Sequence, residues 1–326
     1  MEETVIVEKS SPQGKVGETE SYKIVKRKKA FSSNQWQLHL LIVPAVVLTL
    51  IFIYVPMLGL VMAFQDYKPY LGIMQSPWVG LDQFKLLFSL EESRQVIWNT
   101  LIIQVSKIFL VVLMALVFSL LLNEVRRMSV KKWIQTVVFF PHFLSWVVLG
   151  GIYTDVLALD GGYINRLIQT WFGMEPLFFL GNGDLFRFTA IFTDVWKEFG
   201  YFSIIYLAAL TGINPALYEA AEIDGANRWQ QTLYITLPSL IPVTIVLLTL
   251  LMGYILSAGF DQILNLYNPM VYDKGDIIDT YVYRIGLLGG NFSFATAVGF
   301  FKSVVSVILV VSCYKLAHKY ANYRIF

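Results

Sequence analysis

Cysteine is nearly missing from this chain: Cys313 is the single one among 326 residues. That excludes an internal disulfide and any metal centre built on cysteines, so the redox state of the compartment leaves no mark here. Histidine is scarce as well. His39, His142 and His318 are dispersed and no H-E-x-x-H occurs, so no metal site is expected. No Ser–His–Asp set can be argued around them either, which leaves an intramembrane hydrolase unsupported. The P-loop pattern G-x-x-x-x-G-K-S/T is absent, so the chain lacks the loop that cradles nucleotide phosphates. Charge is thin: 15% of residues are Asp, Glu, Lys or Arg, against about 25% in soluble domains. What is abundant is apolar surface, at 56% of the residues. This is the composition of a chain that lives in a bilayer.

Six apolar runs, at 40–64, 97–122, 133–154, 186–211, 239–260 and 294–316, are long enough to cross roughly 30 Å of hydrocarbon as helices. The expected fold is an all-α polytopic membrane protein with six transmembrane helices over residues 38–326. Ahead of it, residues 1–37 read as a cytoplasmic basic tail, disordered at its start. Lys26, Arg27, Lys28 and Lys29 stand together just before the first run; that position suits anionic membrane lipid, not nucleic acid. The run is no cleavable signal, because the apolar segment behind it is too long. Lys and Arg gather in the tail, at Arg126, Arg127, Lys131, Lys132 and Arg228, and after the sixth run. By the positive-inside rule these segments face the cytoplasm, with both termini, in a multi-pass cell membrane protein.

Between the fourth and fifth runs lies a polar interval, residues 213–238, with its own start and stop signals. Asn214 suits the N-cap of a helix and Pro215 its first position. Gly225 permits a turn that a residue with a Cβ resists. A second helical piece, 227–236, is expected to end ahead of Pro238, which favours an extended Leu237. Glu219-Ala220-Ala221, Asp224-Gly225-Ala226 and Ile235-Thr236-Leu237-Pro238 resemble the "EAA" loop of permease subunits in binding-protein-dependent ABC importers. The resemblance implies a type I importer permease fold and a coupling helix, formed by Glu219, Ala220, Ala221, Asp224, Gly225, Ala226, Leu237 and Pro238, that fits a cleft on a separate ATPase. The softer match after Leu38 is to importers of complex carbohydrates, the alginate and oligosaccharide groups. It implies a second homologous permease subunit as heterodimer partner, two copies of an ABC ATPase, an extracytoplasmic solute-binding protein and a carbohydrate substrate. The chain itself would be no enzyme and bind no cofactor, with ATP and Mg on the ATPase.

Candidate pathway residues concentrate in the fourth run. Asp194, Lys197, Glu198 and Tyr201 fall on one helical face, with Trp196 beside it. Charges inside a span are costly against lipid, so this face should look into a cavity or toward ionic partners. Aromatic rings stack on sugars, and carboxylates with amines bind hydroxyls; the plainer alternative is a structural Asp194–Lys197 pair. In the third run Pro141 is expected to kink the helix and free a carbonyl. His142 and Trp146, four apart, should share a face, with His142 a packing residue, a polar wall or a proton carrier. Lys107 and Lys302 lack acids nearby in sequence, and Lys302 is expected to find its partner on another helix. In the fifth run Tyr254, Ser257 and Asp261 are spaced to share a face.

Leu81, Phe84, Leu87 and Phe88 recur at helical spacing and suggest an amphipathic helix lying at the membrane surface. The loop 155–185 is expected to hold turns and a short interfacial helix. Two rival functions remain open: an ion-gradient-driven secondary transporter using the charged face, and an ABC importer of amino acids or peptides. The first would call for internal repeats with paired broken helices, and no repeat is evident.

Overall fold

Two compact units divide the chain, Met1–Gly59 and Leu60–Phe326; the structure is a computed structural model that describes residues 5–9, 22–26 and 33–321. In the first unit Val5–Lys9 and Tyr22–Lys26, both rich in β-branched residues, pair as antiparallel strands with Val7 opposite Ile24. The pair lies within residues 1–37, ahead of the six expected helices. Met1–Thr4, where disorder is expected, and the basic residues Arg27, Lys28 and Lys29 lie outside the described residues.

Four helical runs are long and apolar enough to cross a bilayer: His39–Phe64, Glu91–Asn123, Arg228–Met252 and Phe292–Lys315. Two bent pairs, Met128–Phe143 with Trp146–Val156 and Gly183–Thr211 with Pro215–Ile223, bring the spans to six. They are called spans one to six in chain order, and they form the expected all-α membrane fold.

Prolines shape two of them without ending them. In span one the turn over Leu50–Tyr54 widens to π geometry, and the Val55 N–H reaches back five residues to Leu50. In span five Thr232–Thr236 does the same, with the Leu237 N–H on Thr232. Each wide turn lies just before a proline, Pro56 or Pro238, whose ring would crowd an ordinary α turn and whose missing N–H leaves a carbonyl over. The expected stop ahead of Pro238 is therefore corrected: Leu237 is helical (φ −61°, ψ −46°) and the helix runs on to Met252.

Span five also ends earlier than the apolar run suggests. After Met252 the chain turns through Gly253–Gly259, and a string of short helices, beginning with Phe260–Leu266 and closing with a π-turn at Tyr283–Leu288, leads to span six. Tyr254, Ser257 and Asp261 thus sit across a break and do not share a helical face. This string is core: Ala258, Ile263, Leu266, Val271 and Ile277 pack with Ile103 of span two and Phe186 and Ala190 of span four. Arg284, lying over the Tyr272 ring, donates to Glu92 and to Asp276, each at 2.7 Å. Burial pushes the Asp276 carboxyl up from its ordinary value, against the opposing pull of its Thr280 and Arg284 hydrogen bonds.

The amphipathic helix expected around Leu81–Phe88 is found as Asp82–Ser89; one side of it packs on protein, while Leu81, Leu86 and Phe88 keep exposed surface. Leu87 is buried, Phe84 meets Phe300, and Phe88 meets Phe301 of span six. The helix Tyr163–Phe172 is found in the 155–185 loop, anchored by buried Asn165, which binds the chain at Ala158 and Leu177.

Candidate functional site

The elbow after span four forms as its residues dictate. The Asn214 side chain accepts from the Ala216 N–H, and Pro215 opens the helix Pro215–Ile223, set at 68° to Gly183–Thr211. At its end the Ala226 N–H returns to the Ala221 carbonyl around Gly225, whose φ of +80° is a conformation a Cβ makes costly. Asn227 and Gln230 then close a reciprocal capping box on the next helix. The hydroxyls of Tyr218 and Thr236 meet at 2.8 Å and tie the two arms together. Glu219, Ala220, Asp224, Gly225 and Pro238 are exposed, Ala221, Ala226 and Leu237 are half-buried, and Ile223 is 87% exposed.

The charged face of span four separates into two clusters. In the first, Lys107 of span two is 3% exposed. Its ammonium lies 3.5 Å from the Asp194 carboxylate, donates to the Ala258 carbonyl at 2.8 Å, and donates to the side-chain oxygen of Gln262. The Gln262 amide in turn donates to the Ala190 carbonyl (2.7 Å) and the Thr193 hydroxyl (2.8 Å) of span four. Gly259 beside them has φ +90°, and a Cβ there would come within 3.2 Å of the ammonium.

The second cluster gathers five of the residues singled out in the sequence. Lys197 donates to the His142 carbonyl at 2.8 Å and to Glu198 at 3.0 Å, and its ammonium lies 5.7 Å from the centre of the Trp146 ring. Glu198 also meets His142 Nδ1 at 2.8 Å, and the His142 ring stacks on Tyr201 with centroids 4.1 Å apart. Span four can come this close because Gly200 faces the Val138 backbone; a Cβ there would meet the Val138 carbonyl at 2.4 Å.

His142 and Trp146 converge for a reason other than shared helical spacing. Leu144 and Ser145 are extended, Ser145 caps a new helix at Trp146, and the two halves of span three meet at 100°. A bend is present near Pro141, but it falls at the extended Leu144–Ser145, and the carbonyl that Lys197 takes is that of His142, freed by this break and not the one four residues before the proline. The alternative Asp194–Lys197 pair does not form: each takes another partner. Trp196 points elsewhere, edge-on to Tyr153, and Tyr254 is 64% exposed. Ser257 lies in the turn after span five, its N–H on the Tyr254 carbonyl. Lys302 pairs with Asp279, from the string of short helices before span six. Lys107 and Gln262 are the members that sequence reasoning left without a place, because their partners are far away along the chain.

Residues 107–325 match the family profile of the binding-protein-dependent transport system inner membrane component. The polygalacturonan/rhamnogalacturonan transport system permease protein YteP of Bacillus subtilis (strain 168) is 44% identical over 293 residues, 90% of this chain and 91% of the relative. A chain from the crystal structure of a bacterial ABC transporter involved in import of the acidic polysaccharide alginate superposes with a TM-score of 0.81 at 38% identity, covering 88% of this chain and 96% of that one. A second structure of the bacterial alginate transporter, in complex with a periplasmic protein carrying alginate pentasaccharide, gives a TM-score of 0.80 at 38% identity, covering 88% and 95%. With that profile spanning most of the sequence and a relative 44% identical over 90% of it, the chain belongs to the inner membrane components of binding-protein-dependent transport systems, the permease subunits of ABC importers.

Proposed function

We propose that this permease forms one half of the translocation pathway for an oligosaccharide, with a second homologous subunit completing it as a heterodimer. An extracytoplasmic solute-binding protein delivers the sugar, as the complex with a periplasmic protein suggests for the alginate transporter. Two copies of an ABC ATPase supply the energy, and ATP and Mg are held there, with no cofactor on this chain. The elbow, through Glu219, Ala220, Ala221, Asp224, Gly225, Ala226, Leu237 and Pro238, seats in the ATPase. The basic tail and the elbow lie on the cytoplasmic side, in keeping with the distribution of Lys and Arg.

The observation that carries this reading is the elbow: an exposed, rigidly capped helix joined directly to a span whose face bears charge. The named cargoes of the relatives, polygalacturonan/rhamnogalacturonan and alginate, favour a carbohydrate over amino acids or peptides. Within the pathway, His142, Trp146, Lys197, Glu198 and Tyr201 supply ring faces and hydrogen-bonding groups suited to sugar hydroxyls. Asp194 is committed to Lys107 and serves the wall behind them.

Gly225→Val tests the coupling. The reconstituted complex should keep membrane insertion and ATP hydrolysis while sugar uptake falls to background. Unchanged uptake would remove the elbow from the mechanism.

A further inference from the structure

Span three is broken at Leu144–Ser145 and the chain breaks its helix again just after span five, and a lysine holds a backbone carbonyl at each break. At the break in span three the freed carbonyl of His142 accepts from Lys197 at 2.8 Å, and the lysine is balanced by Glu198. At the break after span five the carbonyl of Ala258 accepts from Lys107 at 2.8 Å, and this lysine is balanced by Asp194. The two acids stand four residues apart on span four, one turn above the other. A buried ammonium that neutralises an acid while binding a loose backbone carbonyl satisfies three groups at once. None of the three would be stable alone in an apolar interior.

Span four is also the span whose chain continues into the elbow, through residues 212–214. From these facts we propose that Lys107 and Lys197 are positioning residues that clamp the two broken segments to span four, so that span four and both breaks move as one body when the elbow moves. The inference rests on the coupling role of the elbow and adds the route by which its motion reaches the pathway. Gln262 braces the first clamp by bridging Lys107 to Ala190 and Thr193. Trp146 and the stacked His142–Tyr201 pair cover the second.

The test uses the full complex with its ATPase, in lipid nanodiscs, with Cys313 replaced by serine so that introduced cysteines alone take spin labels. Exposed positions serve as sites: Phe192 on span four, Val147 beyond the first break and Met270 beyond the second. The Phe192–Val147 and Phe192–Met270 distances should stay the same with and without ATP, while Phe192 moves relative to the second permease subunit. A change of several ångströms in either intramolecular distance overturns the proposal.

Double substitutions remove each clamp without stranding a buried charge: Lys107→Met with Asp194→Leu, and Lys197→Met with Glu198→Gln. Each should broaden its own distance distribution and lower uptake by roughly tenfold or more, the weight of one charge-assisted hydrogen bond, while ATP hydrolysis stays within about twofold. Uptake at the original level in both overturns the proposal. Should either double variant fail to assemble, Lys107→Arg or Lys197→Arg decides: assembly with uptake recovered supports a clamp, and uptake not recovered, assembled or not, overturns it. The elbow reading fails separately, through unchanged uptake in Gly225→Val, and that result leaves the distances at the breaks independently readable.

Discussion

The helix Gly183–Thr211 and the elbow helix Pro215–Ile223 are neighbours in sequence and opposites in chemistry. The first turns Asp194, Lys197 and Glu198 inward and meets them within the chain: Lys107 for Asp194, the His142 carbonyl and Glu198 for Lys197, and the His142 ring for Glu198. The second turns Glu219, Glu222, Asp224 and Ile223 outward. Burial of charge demands partners at once, since a lone ion in an apolar interior is costly. Exposed surface makes no such demand and can wait for a second protein. Under the proposed coupling, the contrast divides labour between a face that holds the fold's bends in place and a face that receives force.

The largest effect that would sharpen this contrast is expected on the buried side. Asp194→Leu alone leaves the Lys107 ammonium, 3% exposed, without its counter-charge, and should destabilise the subunit by about 3–5 kcal/mol. Thermal unfolding of the purified complex reads this as a marked drop in midpoint and yield. The partner substitution Lys107→Met in the same chain should restore most of the loss. If Asp194→Leu unfolds like the unsubstituted protein, the ion pair does not carry the weight its burial implies.

Next comes the elbow turn, where the effect should appear chiefly in transport and less in stability. At φ +80° a side chain costs about 1–2 kcal/mol unless it tolerates the left-handed region, as asparagine does. Gly225→Asn should therefore keep coupled uptake where Gly225→Val loses it, with Gly225→Val melting lower by no more than that cost. Equal uptake losses in the two variants would shift the requirement from backbone conformation to the absence of a side chain at the contact.

These two regions also differ in how well the sequence announces them. The elbow was legible because its determinants are local: Asn214 before Pro215, Gly225 at the turn and Asn227 before the next helix lie within a few residues of the groups they serve. The gathering of His142, Trp146, Lys197, Glu198 and Tyr201 was legible as a set but not in its geometry. The four-residue spacing of His142 and Trp146 suits one helical face, yet Ser145 ahead of Trp146 is a capping residue and signals a fresh helix start. The break after span five was hidden because Gly253, Ser257, Ala258 and Gly259 also suit close helix packing. The Lys107–Asp194 pair could not be read, because nothing local in an apolar span says which distant acid a lysine will meet. Nor could the ring contacts of Phe84 and Phe88 with Phe300 and Phe301 of span six, since an amphipathic stripe does not reveal which of its side chains meet protein.

A smaller effect is expected at Ile223. It is 87% exposed, so Ile223→Ala removes apolar surface that the isolated subunit leaves in water, and its melting should not change. If the ATPase covers this side chain, the substitution weakens association by about 1–2 kcal/mol, a five- to thirtyfold loss of affinity. Titration of the ATPase onto nanodisc-held permease measures it, and unaltered affinity would place Ile223 outside the docked surface.

The smallest effect should come from Arg228, which begins the second arm of the elbow and reaches Glu124 at 3.9 Å with both side chains largely exposed. Such a pair gains little in water, because solvent and salt screen it and two long side chains must be held still. Arg228→Ala should shift stability by no more than about 0.5 kcal/mol. The same charge acquires weight only if a carboxylate of the ATPase approaches it. In that case the substitution slows association at low ionic strength, and the difference from the unsubstituted protein fades as salt is added. A salt-independent deficit would mean that Arg228 acts on the shape of the elbow, through the capped turn it follows, and the line between a self-contained face and a receiving one would have to be drawn closer to span five.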